Sequence, residues 1–195
     1  EGSGVETGAG VMVDDCLRSS VPNVYAAGDV AEAPDFVTGN PAVHAIEPTA
    51  MQHGRVAGAN MAGADTPYRG SFLMNIVDLL DLEVASFGNW NDEGAEVFSA
   101  VLPERPAYRK LLFRGGQLVG AILIGMVEDV WATNDMGILN GLILSRADLS
   151  AWKGRLREDP FDVKRAFVAA GAAGDLLPRT ILGRPTVPAG EIAAG

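Results

Sequence analysis

SVPNVYAAGDVAE, residues 20–32, contains a short apolar run (23–27) introduced by Pro22 and closed by Gly28 and Asp29. A run that is apolar on both faces suits a buried parallel strand, and open α/β sheets present their ligands at the C-terminal ends of such strands. A glycine there lets the backbone approach a ligand closely. The aspartate beside it offers a carboxylate that accepts hydrogen bonds from hydroxyls. A polyhydroxylated chain suits that position.

Working outward, residues 11–13 are a second short strand candidate upstream, and a loop bearing Pro34, Gly39, Asn40 and Pro41 follows downstream. From Pro48 the spacing becomes helical through about Ala62, with Pro48 suited to the first helical position and Gly63 to the end. The helix start, Pro48-Thr49-Ala50, presents free N–H groups and the positive end of a dipole, which stabilise a group that becomes negative. A reduced flavin is such a group. The predicted order is strand, acidic turn, loop, helix.

After Thr66-Pro67 the texture changes. Strands are predicted over 71–77, 82–87, 96–102, 108–113 and 117–124, and Gly115-Gly116 is a strong two-residue hairpin signal between the last two. An antiparallel sheet is expected. Helices are predicted over 129–145, 150–157 and 162–170. Beyond Gly171 the chain is Gly/Ala/Pro-rich and aperiodic, so an extended or partly disordered tail is expected.

The composition narrows the function classes. The sequence has 195 residues, 48% of them apolar, enough for one ordinary core or a small domain plus part of another. Its 15 basic against 25 acidic side chains give a net charge of −10, which repels phosphate backbones and anionic headgroups, so nucleic acid is not expected as a partner. The longest uncharged apolar run, 118–127, is about half of what spans a bilayer, so no membrane span and, by default, a cytoplasmic location are expected. A single cysteine, Cys16, excludes an internal disulfide and any CxxC metal or redox pair in this chain. Redox chemistry here must come from a cofactor. The opening EGSGVETGAG, without an initiator Met, reads as a loop, and we expect a longer parent protein.

At this point the residues carry a resemblance. VDDCLRSSVPNVYAAGDVAE (13–32) resembles the second FAD-binding motif of the two-dinucleotide-binding flavoproteins, which include glutathione reductase, rubredoxin reductase and the flavin portion of NADH-dependent nitrite reductase. EPTAMQHGRVAGANMAG (47–63) is similar to the helix that follows that motif. The resemblance implies that Asp29 binds the ribityl chain of FAD and that the helix points its N-terminus at the pyrimidine edge of the isoalloxazine. Gly28, Asp29, Val30, Glu47, Pro48 and Thr49 are therefore the candidate cofactor-binding residues. PYRGSFLMNIVDLLDLEVASFG (67–88) and YRKLLFRGGQLVGAILIG (108–125) resemble the C-terminal interface domain of the rubredoxin-reductase and nitrite-reductase branch, in which an antiparallel sheet with flanking helices often packs on a neighbouring subunit.

The same resemblance marks what this chain lacks. Neither GxGxxG nucleotide motif occurs, because the spacing of Gly2, Gly4, Gly8 and Gly10 does not fit, so at most a partial FAD site is expected and the NAD(P)H domain lies elsewhere. No histidine follows His53, which argues against disulfide reduction by a C-terminal His/Glu pair. Cys16 reads as a structural thiol and His53 as structural, while His44, in the loop before the flavin helix, could approach the isoalloxazine. No catalytic residue and no metal ligand are assigned.

The resulting expectation is an α+β chain. Residues 1–65 form the C-terminal part of a Rossmann-like FAD-binding domain, 66–170 an antiparallel-sheet interface or dimerisation domain with flanking helices, and 171–195 the tail. The parent is read as an FAD-dependent NAD(P)H oxidoreductase that passes electrons to an electron carrier or redox module, is joined to an N-terminal FAD/NAD(P)H-binding part and forms a homo-oligomer. The alternative, for the chain alone, is a non-catalytic dimerisation or docking module.

Overall fold

The computed structural model describes residues 2–128 and 130–176. Two short strands begin it: β1 (Val11–Met12) and β2 (Ala31–Pro34) pair in parallel, Val11 opposite Ala31, and β3 (Pro41–Ala42) adds to β2 antiparallel. The parallel strand predicted over 23–27 is corrected. Those residues fold back on 17–19 instead: Ser19 N–H donates to the Val24 carbonyl (2.9 Å), Ala26 N–H to the Leu17 carbonyl (3.2 Å), and Arg18 bridges Tyr25 antiparallel. Asn23, at φ 64°, turns the chain between the two arms. A continuous apolar run does not specify its partner, and closing a short loop satisfies backbone groups with little entropy loss. The parallel strand falls just after Gly28-Asp29 rather than before it.

The predicted loop after this strand is a small hairpin. Asp35 organises its turn, with Oδ1 accepting the N–H groups of Val37 (3.0 Å) and Thr38 (2.6 Å) and the Thr38 hydroxyl (2.8 Å). The predicted helix forms as α1 (Glu47–Met61), one residue earlier than Pro48, and Gly63 past its end lies at φ 94° as a left-handed stop. Thr49, His53, Ala57 and Asn60 form its buried face.

All five predicted strands of the second half are present: β4 (Met74–Leu79), β5 (Leu82–Gly88), β6 (Glu96–Leu102), β7 (Ala107–Arg114) and β8 (Gln117–Met126). They make one antiparallel sheet in the order β4-β5-β8-β7-β6, and Gly115, at φ 59°, supplies the β7–β8 turn. The helices are α2 (Val130–Ser145), a 3-10 turn (Ser150–Trp152) running into α3 (Lys153–Glu158), then α4 (Val163–Ala169) and α5 (Ala172–Leu176). Leu139, Leu142, Leu156 and Val163 pack on Phe87, Phe98, Leu111 and Leu123 of the sheet. Each such buried Leu or Phe contributes about 1.5–3 kcal/mol. Helix α5 stands where an extended tail was expected, because Ala172 is fully buried in that core. Residues 177–195 of the expected tail lie outside the described residues.

The two halves meet at the β2–β3 turn. Phe36 N–H donates to the Ser71 carbonyl (2.6 Å), and Arg146 donates to the Phe36 carbonyl (2.6 Å) while its guanidinium lies 4.6 Å over the Phe36 ring. The architecture is mixed helix and sheet, as expected, with an antiparallel five-stranded sheet. Among the described residues no helix is long and apolar enough to cross a membrane.

Candidate functional site

Gly28, Asp29 and Val30 form a 3-10 turn that leads directly into β2. Gly28 lies at φ 74°, a conformation that favours glycine, and a Cβ there would stand 3.4 Å from the Ala50 side chain. The glycine therefore serves a close approach between the turn and the first turns of α1. Its N–H donates to Nδ1 of His53 at 3.2 Å, one turn further along that helix. These two contacts bring together the turn and the helix start, which are separated by a hairpin in sequence.

The other candidates take their places around this junction. Asp29 and Val30 are exposed, as are Glu47 and Pro48, while Thr49 is buried on the inner face of α1. The N-cap residue of α1, Ile46, has no side chain to cap the helix, and Pro48 has no N–H to satisfy. A helix start without a side-chain cap is open to an anionic or polarised group, and a carboxylate stands exposed on the adjoining turn. Such a shelf fits one side of a ligand that carries both hydroxyls and a group that gains negative charge.

His53 is 2% exposed and lies edge-on to Tyr68, with ring centroids 4.5 Å apart and planes at 87°. Burial, with a smaller contribution from His44, holds its basicity below the ordinary histidine range. Nδ1 accepts from Gly28, so the single proton of the neutral ring resides on Nε2, which is buried without a hydrogen-bond partner among the described residues.

His44 does not turn towards this shelf. Its Nδ1 is 2.7 Å from the Ser71 hydroxyl and its Nε2 3.1 Å from Asp35 Oδ2, which ties the loop before α1 to the β2–β3 turn and to the segment leading into β4. Burial pushes the Asp35 carboxyl up, but hydrogen bonds from His44 and Thr38 outweigh it and hold the group below the usual carboxylate range. Cys16 is 6% exposed with its thiol 3.5 Å from Asp65 Oδ1. Burial first, then that hydrogen bond, pushes the thiol up, so it stays protonated and unreactive at neutral pH.

Asn60 was not singled out in the sequence, yet its amide is fully used. Nδ2 donates to the carbonyls of Cys16 and Thr66 (both 2.9 Å), and Oδ1 accepts Thr66 N–H (2.7 Å). It fixes the far end of α1 to the chain on both sides, and only its place on the buried helix face signals this role.

Residues 74–135 match the family model described as rubredoxin NAD+ reductase C-terminal domain. The chain is 34% identical over 172 residues to the epsilon subunit of NADH-dependent phenylglyoxylate dehydrogenase from Aromatoleum evansii, covering 86% of this chain and 39% of that protein. It is 31% identical over 125 residues to nitrite reductase [NAD(P)H] from Bacillus subtilis strain 168, covering 63% of this chain and 15% of that protein. Among solved structures, an FAD-dependent pyridine nucleotide-disulphide oxidoreductase from Desulfovibrio vulgaris shares the fold, with a TM-score of 0.67 and 22% identity over 87% of this chain and 44% of that one. The chain thus spans less than half the length of each of these proteins.

Proposed function

We propose that this chain, whose residues 74–135 match the rubredoxin NAD+ reductase C-terminal domain, belongs to the pyridine nucleotide-disulfide oxidoreductases, and that its parent is an FAD-dependent NAD(P)H oxidoreductase delivering electrons to a carrier protein or redox module. In this reading residues 1–65 are the C-terminal part of a Rossmann-like FAD-binding domain and 66–170 an interface domain. The partner part is an N-terminal segment that holds the FAD pyrophosphate and NAD(P)H.

The observation that carries the reading is the junction of Gly28 with α1, which sets an exposed Asp29 beside a helix start lacking a side-chain cap. Asp29 would accept hydrogen bonds from the ribityl hydroxyls. Val30, Glu47, Pro48 and Thr49 would border the flavin at the helix N-terminus, whose dipole favours negative charge there. The chemistry, hydride taken from NAD(P)H and electrons handed to an acceptor, belongs to FAD when it is bound. This chain's residues bind and orient; none is assigned a catalytic step.

The test is the dissociation constant of FAD from the complete protein, followed by flavin absorbance after ultrafiltration. Losing charge-assisted hydrogen bonds in Asp29→Ala should weaken binding about 10- to 100-fold. Unchanged retention would sink the assignment of Asp29.

A second reading, a dimerisation or docking module, has its own observation. One row on the outer face of the five-stranded sheet, Val77, Val84, Ile124, Tyr108 and Val101, is apolar, with Val77 58% and Val101 67% exposed at its two ends. The two readings are compatible, one describing the parent and the other this domain.

A further inference from the structure

We propose that His53 is a positioning residue for the flavin-side turn: its neutral imidazole, by accepting the Gly28 N–H, sets the direction of Asp29, so that FAD retention depends on the protonation state of a histidine that never touches the cofactor. This rests on the flavin reading of Asp29 given above. Three observations carry it. The Gly28–His53 bond (3.2 Å) is buried and spans 25 positions, linking the turn to the inner face of α1. Gly28 sits at φ 74°, against the Ala50 side chain, so the turn cannot slide along the helix to find another acceptor. The acceptor nitrogen is the one that protonation removes: an imidazolium presents N–H at both positions, and two donors would then face each other across 3.2 Å.

The surroundings set the sign. The ring is 2% exposed, and burial, followed by the charge of His44, lowers its basicity. Among the described residues, the titratable groups that bear on it are His44 from the loop before α1 and Tyr68 from the segment after it. Asp35 lies beyond, bonded to His44. Burial pushes the Tyr68 hydroxyl up, so Tyr68 stays neutral and supplies no counter-charge to an imidazolium. Because the folded value lies below the unfolded one of about 6.5, the turn is fully held above that pH and is released as pH falls through the folded value.

Two measurements on the complete protein test this. Without FAD, the Gly28 amide and the His53 ring nitrogens are followed by 15N NMR from about pH 8 to about pH 5. The expected result is an Nε2–H tautomer at high pH and a Gly28 shift that titrates with His53. His53→Asn places a carbonyl oxygen where Nδ1 stood, and should keep the Gly28 shift at its high-pH position throughout. His53→Leu should displace it at every pH. With FAD, affinity should fall about tenfold per pH unit below the His53 midpoint in wild type, and this slope should vanish in His53→Asn. A Gly28 amide indifferent to His53 protonation, or a His53→Asn variant with the wild-type slope, overturns the proposal. Intact FAD affinity in Asp29→Ala fails the flavin reading instead, and the Gly28 amide still judges His53 alone.

Discussion

Arg109 on β7 and Asp135 on α2 meet in the core of the sheet half, Nη2 to Oδ2 at 2.7 Å, with side chains 4% and 7% exposed. Register places Arg109 in the core-facing row between Leu123 and Ala100, where alternation calls for an apolar residue. Its guanidinium also lies 5.1 Å over the Phe161 ring, and Nη1 donates to the Tyr108 carbonyl at 3.3 Å. The pair is nevertheless incompletely served: among the described residues Arg109 Nε and Asp135 Oδ1 have no hydrogen bond, and the Lys164 ammonium stands 3.9 Å from that oxygen. In low dielectric, removing one partner strands the other's charge and costs about 3–5 kcal/mol, whereas apolar replacement of both is often neutral or stabilising. Urea denaturation should therefore show Arg109→Met and Asp135→Leu each strongly destabilised and the double variant recovering most of the loss. A double variant as unstable as the sum of the singles would show that the two side chains are not coupled and would refute this account. Nothing in the sequence pairs two residues that stand 26 positions apart.

Between β4 and β5 the chain turns in two residues, Leu80 and Asp81, with Leu79 opposite Leu82. Leu80 lies at φ 57° and is 93% exposed, so it has left-handed strain and no packing to offset it. Leu80→Gly removes that strain and gives back part of it as unfolded-state entropy, for a net gain of about 0.5–1 kcal/mol. A thermal melt should move up by a few degrees, and Leu80→Val, β-branched at the same φ, should move it down; a Leu80→Gly variant that melts lower would refute the account. This turn also shows where sequence reading stopped. The β7–β8 turn was legible because glycines fill it, and α1 because Pro48 and Gly63 mark its ends. The strands were legible through β-branched and aromatic residues between breakers. The run at 23–27 was misread because apolarity on both sides specifies burial, not a partner, and Asn23 had already taken a left-handed turn. At the candidate site, Gly28 and Asp29 were legible as a turn beside a helix. The acceptor that holds them, His53, was read only as structural, since no local pattern announces a hydrogen bond across 25 positions. The joint of Phe36 with Arg146, 110 positions apart, was equally silent.

Across the whole sheet, pairing aligns Val77, Val84, Ile124, Tyr108 and Val101 in a single row on the face away from the helices. Leu79, Leu82 and Met126 make a partial second row beside it. The opposite face carries Phe87, Leu111 and Phe98, so alternation has placed apolar residues on both sides of a sheet that, among the described residues, has helices on one. Contiguous exposed apolar surface of this kind marks an interaction site in soluble proteins. A net charge of −10 opposes non-specific collapse of such surfaces onto one another, so association here must be stereospecific to overcome like-charge repulsion. The occupant we test is a second copy of the chain, because a two-fold axis through the sheet would set the row of one copy against the same row of the other, which is how an isologous interface is built. Sedimentation velocity should then show a dimer that dissociates on dilution, with a dissociation constant below about 100 μM. Val77→Lys together with Val101→Lys places charges at the two ends of the row, at positions already more than half exposed. The pair should shift the protein to monomer while leaving its thermal melt unchanged. A wild-type chain that stays monomeric at that concentration rejects self-association as the role of this face.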